Sequence, residues 1–309
     1  MGIGDDAAVL AAPDGRVVAS TDFLLEGRHF RRDWSGAADV GHKAAARSLA
    51  DVAAMGAEPS GLLVALAAPP GLPFSWAREL AAGLAAECAR AGASVIGGDT
   101  ARADQVVLAV TSLGDLAGRA PVLRSGAAPS DLVAVAGVLG HAAAGLALLT
   151  AGITQDPLLA PLITGQLRPA PPYEAGPEAA GLGATAMIDV SDGLLADLGH
   201  VAAASGVLID LDSAALRPGD RLIAAARAVA GSRRHRDRTG LVSRPPDAEA
   251  LRWVMSGGED HSLVATFPAG TRLPPRWKVI GIVAEGHGVV IDGQPWPEAR
   301  GWDHFTASG

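Results

Sequence analysis

With 309 residues, 49% of them apolar and 19% charged, the chain is long enough to bury one large core or two smaller ones. A formal net charge of −8 excludes the broad basic face that a nucleic-acid partner requires, and a single cysteine, Cys88, excludes an internal disulfide framework or a Cys-based zinc cluster. Apolar runs such as residues 61–70 fall short of the ~20 residues of a membrane helix, and the opening Met1-Gly2-Ile3-Gly4-Asp5-Asp6 lacks the basic start and apolar centre of a signal peptide, so the expectation is a soluble cytoplasmic protein.

Residues 16–21 (RVVAST) read as a buried strand ending in Asp22. Residues 39–55 have helical composition, with Asp39 as N-cap and Gly56 as the stop. Residues 61–67 read as a strand. Ser75 is placed to cap a helix on which Trp76, Leu80, Leu84 and Cys88 recur every four residues, with Gly92 ending it. Residues 94–96 form a short strand running into a Gly97-Gly98-Asp99 turn, and residues 105–113 form another strand. After Gly118 the pattern restarts, which places a domain boundary between residues 118 and 119. Residues 132–136 read as a strand, 141–150 as a helix, and 158–177 as a proline-punctuated connection. A strand at 186–190 meets Ser191-Asp192-Gly193, and a helix on Leu194, Leu198 and Val201 follows, ending at Gly206. Helices are expected at 220–230 and 247–255, separated by an arginine-rich solvated loop, and strands at 261–267, 278–283 and 289–291 finish the chain.

The carboxylates carry the chemistry. Asp6, Asp22, Asp51, Asp99, Asp189, Asp192, Glu259 and Asp260 mostly fall at expected strand ends or glycine turns beside apolar sequence. Carboxylates gathered in such places repel one another unless a cation compensates. Basic side chains are thin nearby, and only Lys43 and Lys278 are lysines among the 25 basic residues. Hard oxygen ligands suit Mg²⁺, which binds through one or two carboxylates plus substrate phosphates. The sequence has no Gly-x-x-x-x-Gly-Lys-[Ser/Thr] phosphate loop and none of the protein-kinase signatures. Metal ions and arginine are therefore left to neutralise a transferred phosphoryl group. Gly97-Gly98-Asp99 and Gly257-Gly258-Glu259-Asp260 form a faint echo between the two halves.

Eight segments, in this order, resemble the thiamine-monophosphate kinases of the aminoimidazole ribonucleotide synthetase superfamily. They are GIGDDAAV from Gly2, STDFLLEGRHF from Ser20, DVAAMGAEP from Asp51, IGGDTAR from Ile96, RSGAAPSD from Arg124, IDVSDGLLADLGH from Ile188, SGGED from Ser256 and GWDHF from Gly301. The resemblance implies a mixed α+β fold of two domains. Residues 1–118 would bind ATP and metal and pair into a homodimer through their sheet; residues 119–309 would form an αβ domain completing the substrate site. It implies direct in-line phosphoryl transfer from ATP to thiamine monophosphate with several Mg²⁺ ions. Asp6, Ser20, Thr21, Asp22, Asp51, Asp99, Asp189 and Asp192 match magnesium positions, Asp22, Asp99 and Asp189 being the expected catalytic acids. Gly98, Asp99, Arg124 and Ser191 match the ATP site, and His29, Glu259 and Trp302 the thiamine phosphate site.

The chain departs from the family pattern at Ser48-Leu49-Ala50-Asp51 (usually Asn-Leu-Ser-Asp), Pro129-Ser130-Asp131 (Pro-Gly-Asp) and His261-Ser262 (Tyr-Glu). Family members also usually carry a segment before GIGDD. Another ATP-dependent enzyme of the superfamily, resembling aminoimidazole ribonucleotide synthetase or selenophosphate synthetase, and a catalytically weak nucleotide-binding homologue are the alternatives.

Overall fold

The structure, a computed structural model, describes residues 9–236, 244–298 and 301. It divides into two compact units: Met1–Val122 with Pro171–Gly181, and Leu123–Ala170 with Leu182–Gly309. One stretch of the second half returns to the first unit. Among the described residues no helix is long and apolar enough to cross a membrane.

The first unit holds β1 (Val18–Leu25), α1 (Ala37–Ala54), β2 (Glu58–Ala68), α2 (Phe74–Arg90), β3 (Ser94–Arg102) and β4 (Val107–Asp115). Its four strands run in the order β1-β4-β2-β3, antiparallel except for the parallel pair β2–β3. Alanine, the strongest helix former, dominates α1. The helix starts at Gly36, not at Asp39; Asp39 lies in the first turn and its carboxylate accepts from the Gly36 N–H at 2.9 Å. Similarly, α2 starts after Pro73 and Ser75 makes no cap. Gly56 and Gly92 end these helices at positive φ. The following N–H groups, of Ala57 and Ala93, reach back to Val52 O and Cys88 O and so satisfy carbonyls that would otherwise be orphaned.

The two helices touch backbone to backbone. A Cβ on Gly41 would lie 2.1 Å from Leu80 O, and one on Gly83 would lie 2.1 Å from Ala38 O. They cover one face of the sheet, where Leu24, Leu62, Leu108, Val110 and Ser112 are buried. Ser48 fastens α1 to that face: its hydroxyl donates to Val110 O, while Ser112 donates to Ser48 O at 2.8 Å. The returning stretch ends in α5 (Ala175–Gly181), whose Gly176 abuts Ala53 of α1. Just before it, the Tyr173 hydroxyl donates to buried Glu87 at 2.6 Å.

The second unit contains β5 (Leu132–Ala136), α3 (His141–Ala151), α4 (Ala160–Leu167), β6 (Ala186–Asp189), α6 (Leu194–Ser205), β7 (Leu208–Leu211), α7 (Asp220–Arg236), α8 (Pro246–Ser256), β8 (Leu263–Phe267), β9 (Trp277–Ala284), β10 (Gly288–Ile291) and β11 (Gln294–Pro295). Its strands form one sheet in the order β11-β10-β7-β9-β5-β8-β6. Leu148, Leu162, Leu194, Leu198, Trp253 and Val264 anchor the core between sheet and helices. The stretch expected as a bare connection contains α4 and α5 instead. Prolines Pro161 and Pro177 sit in their opening turns, where a missing N–H breaks no helical bond. The arginine-rich stretch begins inside α7, and residues 237–243 lie outside the described residues.

Candidate active site

The strand register separates the acids of the first unit by face. Ser20 and Asp22 lie on the α1-covered face of β1, in rows with Ser112 and Val110. The Ser20 hydroxyl donates to Asp51 of α1 at 2.6 Å, so these positions are brought together across the strand–helix layer. Thr21 points to the opposite face, where its hydroxyl pairs with that of Thr111 at 2.8 Å. Asp99 is also on that opposite face, in a row running Asp99–Ala65–Ala109–Phe23. Neither Asp22 nor Asp99 ends a strand: both lie inside one, and Gly97-Gly98-Asp99 is extended strand rather than a turn. Gly98 packs so tightly on β2 that a Cβ would lie 1.9 Å from Val64 O.

His29 sits on the loop after β1, closed by a Gly27 N–H to Phe30 O bond of 2.8 Å. Its Nδ1 accepts from the Leu25 N–H at 3.0 Å, which leaves the proton of the neutral ring on Nε2. Buried Lys43 donates to the His29 carbonyl at 3.1 Å.

The second unit gathers its own set. Asp189, the last residue of β6, is buried, and its carboxylate lies 3.0 Å from His261 Nδ1. Beyond β6 the chain pairs with the Gly257–His261 segment through Glu259 N–H to Ser191 O at 2.8 Å and His261 N–H to Val190 O at 2.9 Å. Gly258 must be glycine here, because a Cβ would stand 2.4 Å from Ser191 O. Glu259 and His261 both adopt positive φ, at 70° and 52°. For side chains of this size such backbone is strained by roughly 1–3 kcal/mol per residue, and the surrounding pairing holds it there. Buried Asp260 accepts from the N–H groups of Gly140 and Ala142, fixing the segment to the start of α3. Burial pushes the Asp260 carboxyl up to about 7. The echo between the glycine pairs is therefore not structural: one pair is strand, the other a loop.

Two residues absent from the expected site emerge here. Asp197 accepts from the N–H groups of Ser191, Asp192 and Gly193 at 3.0, 3.1 and 3.0 Å. Burial, then the Asp189 and Asp192 carboxylates, push its own carboxyl up to about 8. An acid four residues after Gly193 signals helix capping from sequence, but not this convergence. His261 is the second, and its departure from the family pattern was the available signal. Arg124 is exposed, on a loop whose carbonyl accepts from Ser205 at 3.0 Å. Asp6 and Trp302 lie outside the described residues.

These donors are carboxylate and hydroxyl oxygens, the chemistry Mg²⁺ prefers, and the mutual charge felt by Asp197 is what a cation relieves. Among the described residues no three His, Cys, Asp or Glu side chains close on a metal by themselves. The residues thus fit an ion that keeps waters and shares substrate phosphates, not one held in a protein cage.

Residues 4–116 match the family described as AIR synthase related protein, N-terminal domain. Over 307 residues the chain is 47% identical to the thiamine-monophosphate kinase of Mycobacterium tuberculosis, covering 99% of this chain and 86% of that one. It is 39% identical to the same enzyme of Corynebacterium glutamicum, covering 98% and 88%. Among solved structures it resembles AaThiL complexed with AMPPCP and TMP, with a TM-score of 0.83 and 32% identity over 97% of this chain and 91% of that one. The thiamine-monophosphate kinase of Stenotrophomonas maltophilia gives a TM-score of 0.80 at 33% identity, over 95% and 91%. The chain belongs to the thiamine-monophosphate kinase family.

Proposed function

We propose that this protein phosphorylates thiamine monophosphate with ATP, giving thiamine diphosphate and ADP. The observation that carries the reading is the near full-length likeness, at 47% identity, to a thiamine-monophosphate kinase. In the reaction a phosphate oxygen of thiamine monophosphate attacks the γ-phosphorus in line, and the bond to the β-phosphate oxygen breaks.

Ser20, Asp22 and Asp51, with Asp99, Asp189 and Asp192, are the residues that would hold Mg²⁺, joined by Asp6 and Thr21 on the resemblance alone. Magnesium, when bound, supplies charge neutralisation on the polyphosphate. Asp22, Asp99 and Asp189 are the acids assigned to the catalytic step. Gly98, Arg124 and Ser191 are assigned with Asp99 to ATP, where the guanidinium of Arg124 offers a two-pronged grip on phosphate. His29 is assigned to thiamine monophosphate with an Nε2–H donor, Glu259 with negative charge for the thiazolium, and Trp302 with a flat ring face.

The homodimer assigned to the first unit has a surface suited to it. The sheet face opposite α1 is open and apolar, with Phe23 56% exposed beside Ala65, Ala67, Ala101 and Ala109. The location assigned with this activity is the cytoplasm.

A coupled ADP-release assay with thiamine monophosphate, ATP and Mg²⁺ tests the reading. Turnover that needs all three supports it, and nucleotide binding without turnover favours the catalytically weak homologue. Asp99→Asn, at an exposed position, should lower turnover by orders of magnitude and leave thermal unfolding unchanged. Near-normal turnover in that variant removes Asp99 from the machinery.

A further inference from the structure

We propose that Asp197 is a positioning residue that turns the Ser191-Asp192-Gly193 segment into a cation-facing rather than a phosphate-facing turn; this rests on the kinase reading above. A helix N-terminus offers unpaired N–H groups and ordinarily attracts anions. The turn that leads into α6, with Gly193 as its N-cap, would add its own amides to that attraction, but these are already taken. The three amides of Ser191, Asp192 and Gly193 converge on a single carboxylate oxygen, Asp197 Oδ2, within 3.0–3.1 Å. Asp197 is 2% exposed, so the carboxylate sits beneath the turn, away from solvent.

The geometry has a reason in the backbone. Gly193 takes φ 122°, which curls the chain so that successive N–H groups point inward together. Packing then closes the turn on two sides: a Cβ on Gly258 would be 2.4 Å from Ser191 O, and one on Gly301 would be 2.4 Å from Asp192 O. With its donors facing inward, the segment presents side-chain oxygen to a cation, in the carboxylates of Asp192 and neighbouring Asp189. Asp197 is therefore not itself a ligand. It holds the oxygens of others in place and removes the N–H groups that would compete for phosphate.

Removing such a support typically weakens metal binding about 10–100-fold. The test titrates Mg²⁺ calorimetrically into the full-length protein saturated with the non-hydrolysable analogue AMPPCP, for the wild type, Asp197→Asn and Asp197→Ala. The expected order of affinity is wild type, then Asp197→Asn, then Asp197→Ala. The first loss is smaller because the asparagine carbonyl still accepts N–H groups, whereas alanine accepts none. The KM for Mg²⁺ should rise in the same order, while the KM for thiamine monophosphate stays near the wild-type value. Thermal unfolding without metal supplies the control, since a purely structural role would lower the midpoint and leave the affinity of folded protein intact. Wild-type Mg²⁺ affinity in either folded variant overturns the role of Asp197 and spares the kinase reading. A wild-type protein that takes up no Mg²⁺ with the analogue overturns that reading, and this inference with it.

Discussion

Adjacent glycines in β3 should respond very unequally to the same added methyl group. At Gly98 the new Cβ would lie 1.9 Å from Val64 O, 2.8 Å from Val64 C and 3.1 Å from Val64 N, all backbone atoms of β2. Backbone cannot rotate away as a side chain does, so β3 must move off β2 by more than 1 Å to restore ordinary contact. In a ladder whose strands are spaced about 4.8 Å apart, that displacement removes two or three hydrogen bonds. At about 0.5–1.5 kcal/mol net for each bond, Gly98→Ala should cost about 2–4 kcal/mol. At Gly97 the nearest atom is Leu63 Cδ2 at 3.1 Å, the tip of a side chain that is 38% exposed and able to turn aside. Alanine also loses less conformational freedom than glycine in a strand, worth about 0.5–1 kcal/mol. Gly97→Ala should therefore change stability by less than about 1 kcal/mol, in either direction.

Urea unfolding followed by far-ultraviolet circular dichroism, without nucleotide, reads both variants, and hydrogen exchange over residues 94–102 locates the change. The resemblance assigns Gly98 to ATP; the register gives it a steric duty that exists before any nucleotide binds. If the unliganded Gly98→Ala protein is as stable as wild type and loses ATP affinity alone, the packing argument is wrong. Gly98 would then serve the nucleotide only.

Three further outcomes follow from the same geometry. Glu87 is 1% exposed and takes the Tyr173 hydroxyl, Arg90 and His42, so Glu87→Ala should cost about 3–5 kcal/mol by urea unfolding; less than about 1 kcal/mol would mean this cluster is solvated. Phe23→Asp puts a charge on the β1 side of the open sheet face and should convert the proposed dimer to monomer in light scattering with the fold kept; an unaltered dimer would place the interface elsewhere. Burial pushes Asp260 up to about 7, above the ~3.9 of an unfolded aspartate, so its contribution is present at low pH and fades as pH rises towards and through 7. Urea midpoints should fall between pH 4 and 8, and Asp260→Asn should flatten that slope; an unchanged slope would separate Asp260 from it.

How far the sequence discloses this protein depends on which physical effect writes the signal. Helices α1, α2 and α6 are legible, because alanine and periodic leucine mark their length and Gly56, Gly92 and Gly206 mark their ends. Strand limits around the acids are not. Asp22 and Asp99 look like punctuation, yet β1 and β3 continue past both. The reason is position: these are the two edge strands of their sheet, where a carboxylate in mid-strand still reaches water. Helices α4 and α5 were hidden by prolines that open them. The short strands β7 and β11 have too few residues to show a period.

The site divides along the same line. Identities of candidate ligands can be read from glycine–acid segments, but what holds them is distant in sequence. Ser20 meets Asp51 from 31 residues away, and His261 meets Asp189 from 72. The two sets also differ in how they are buried and braced. In the first unit Asp51 is part-buried and accepts from the Ser20 hydroxyl across the strand–helix layer. In the second, Asp189 is buried, against an imidazole, and the turn after it is pinned from below by Asp197. A buried carboxylate set with its own internal donors can keep its shape before a cation arrives. A part-exposed set on edge strands depends more on water and on the ion itself. On the proposed reading, the second unit's turn is the part held by internal bonds before any ion arrives, and the advantage of such preorganisation is realised in the transition state, where no further rearrangement is required.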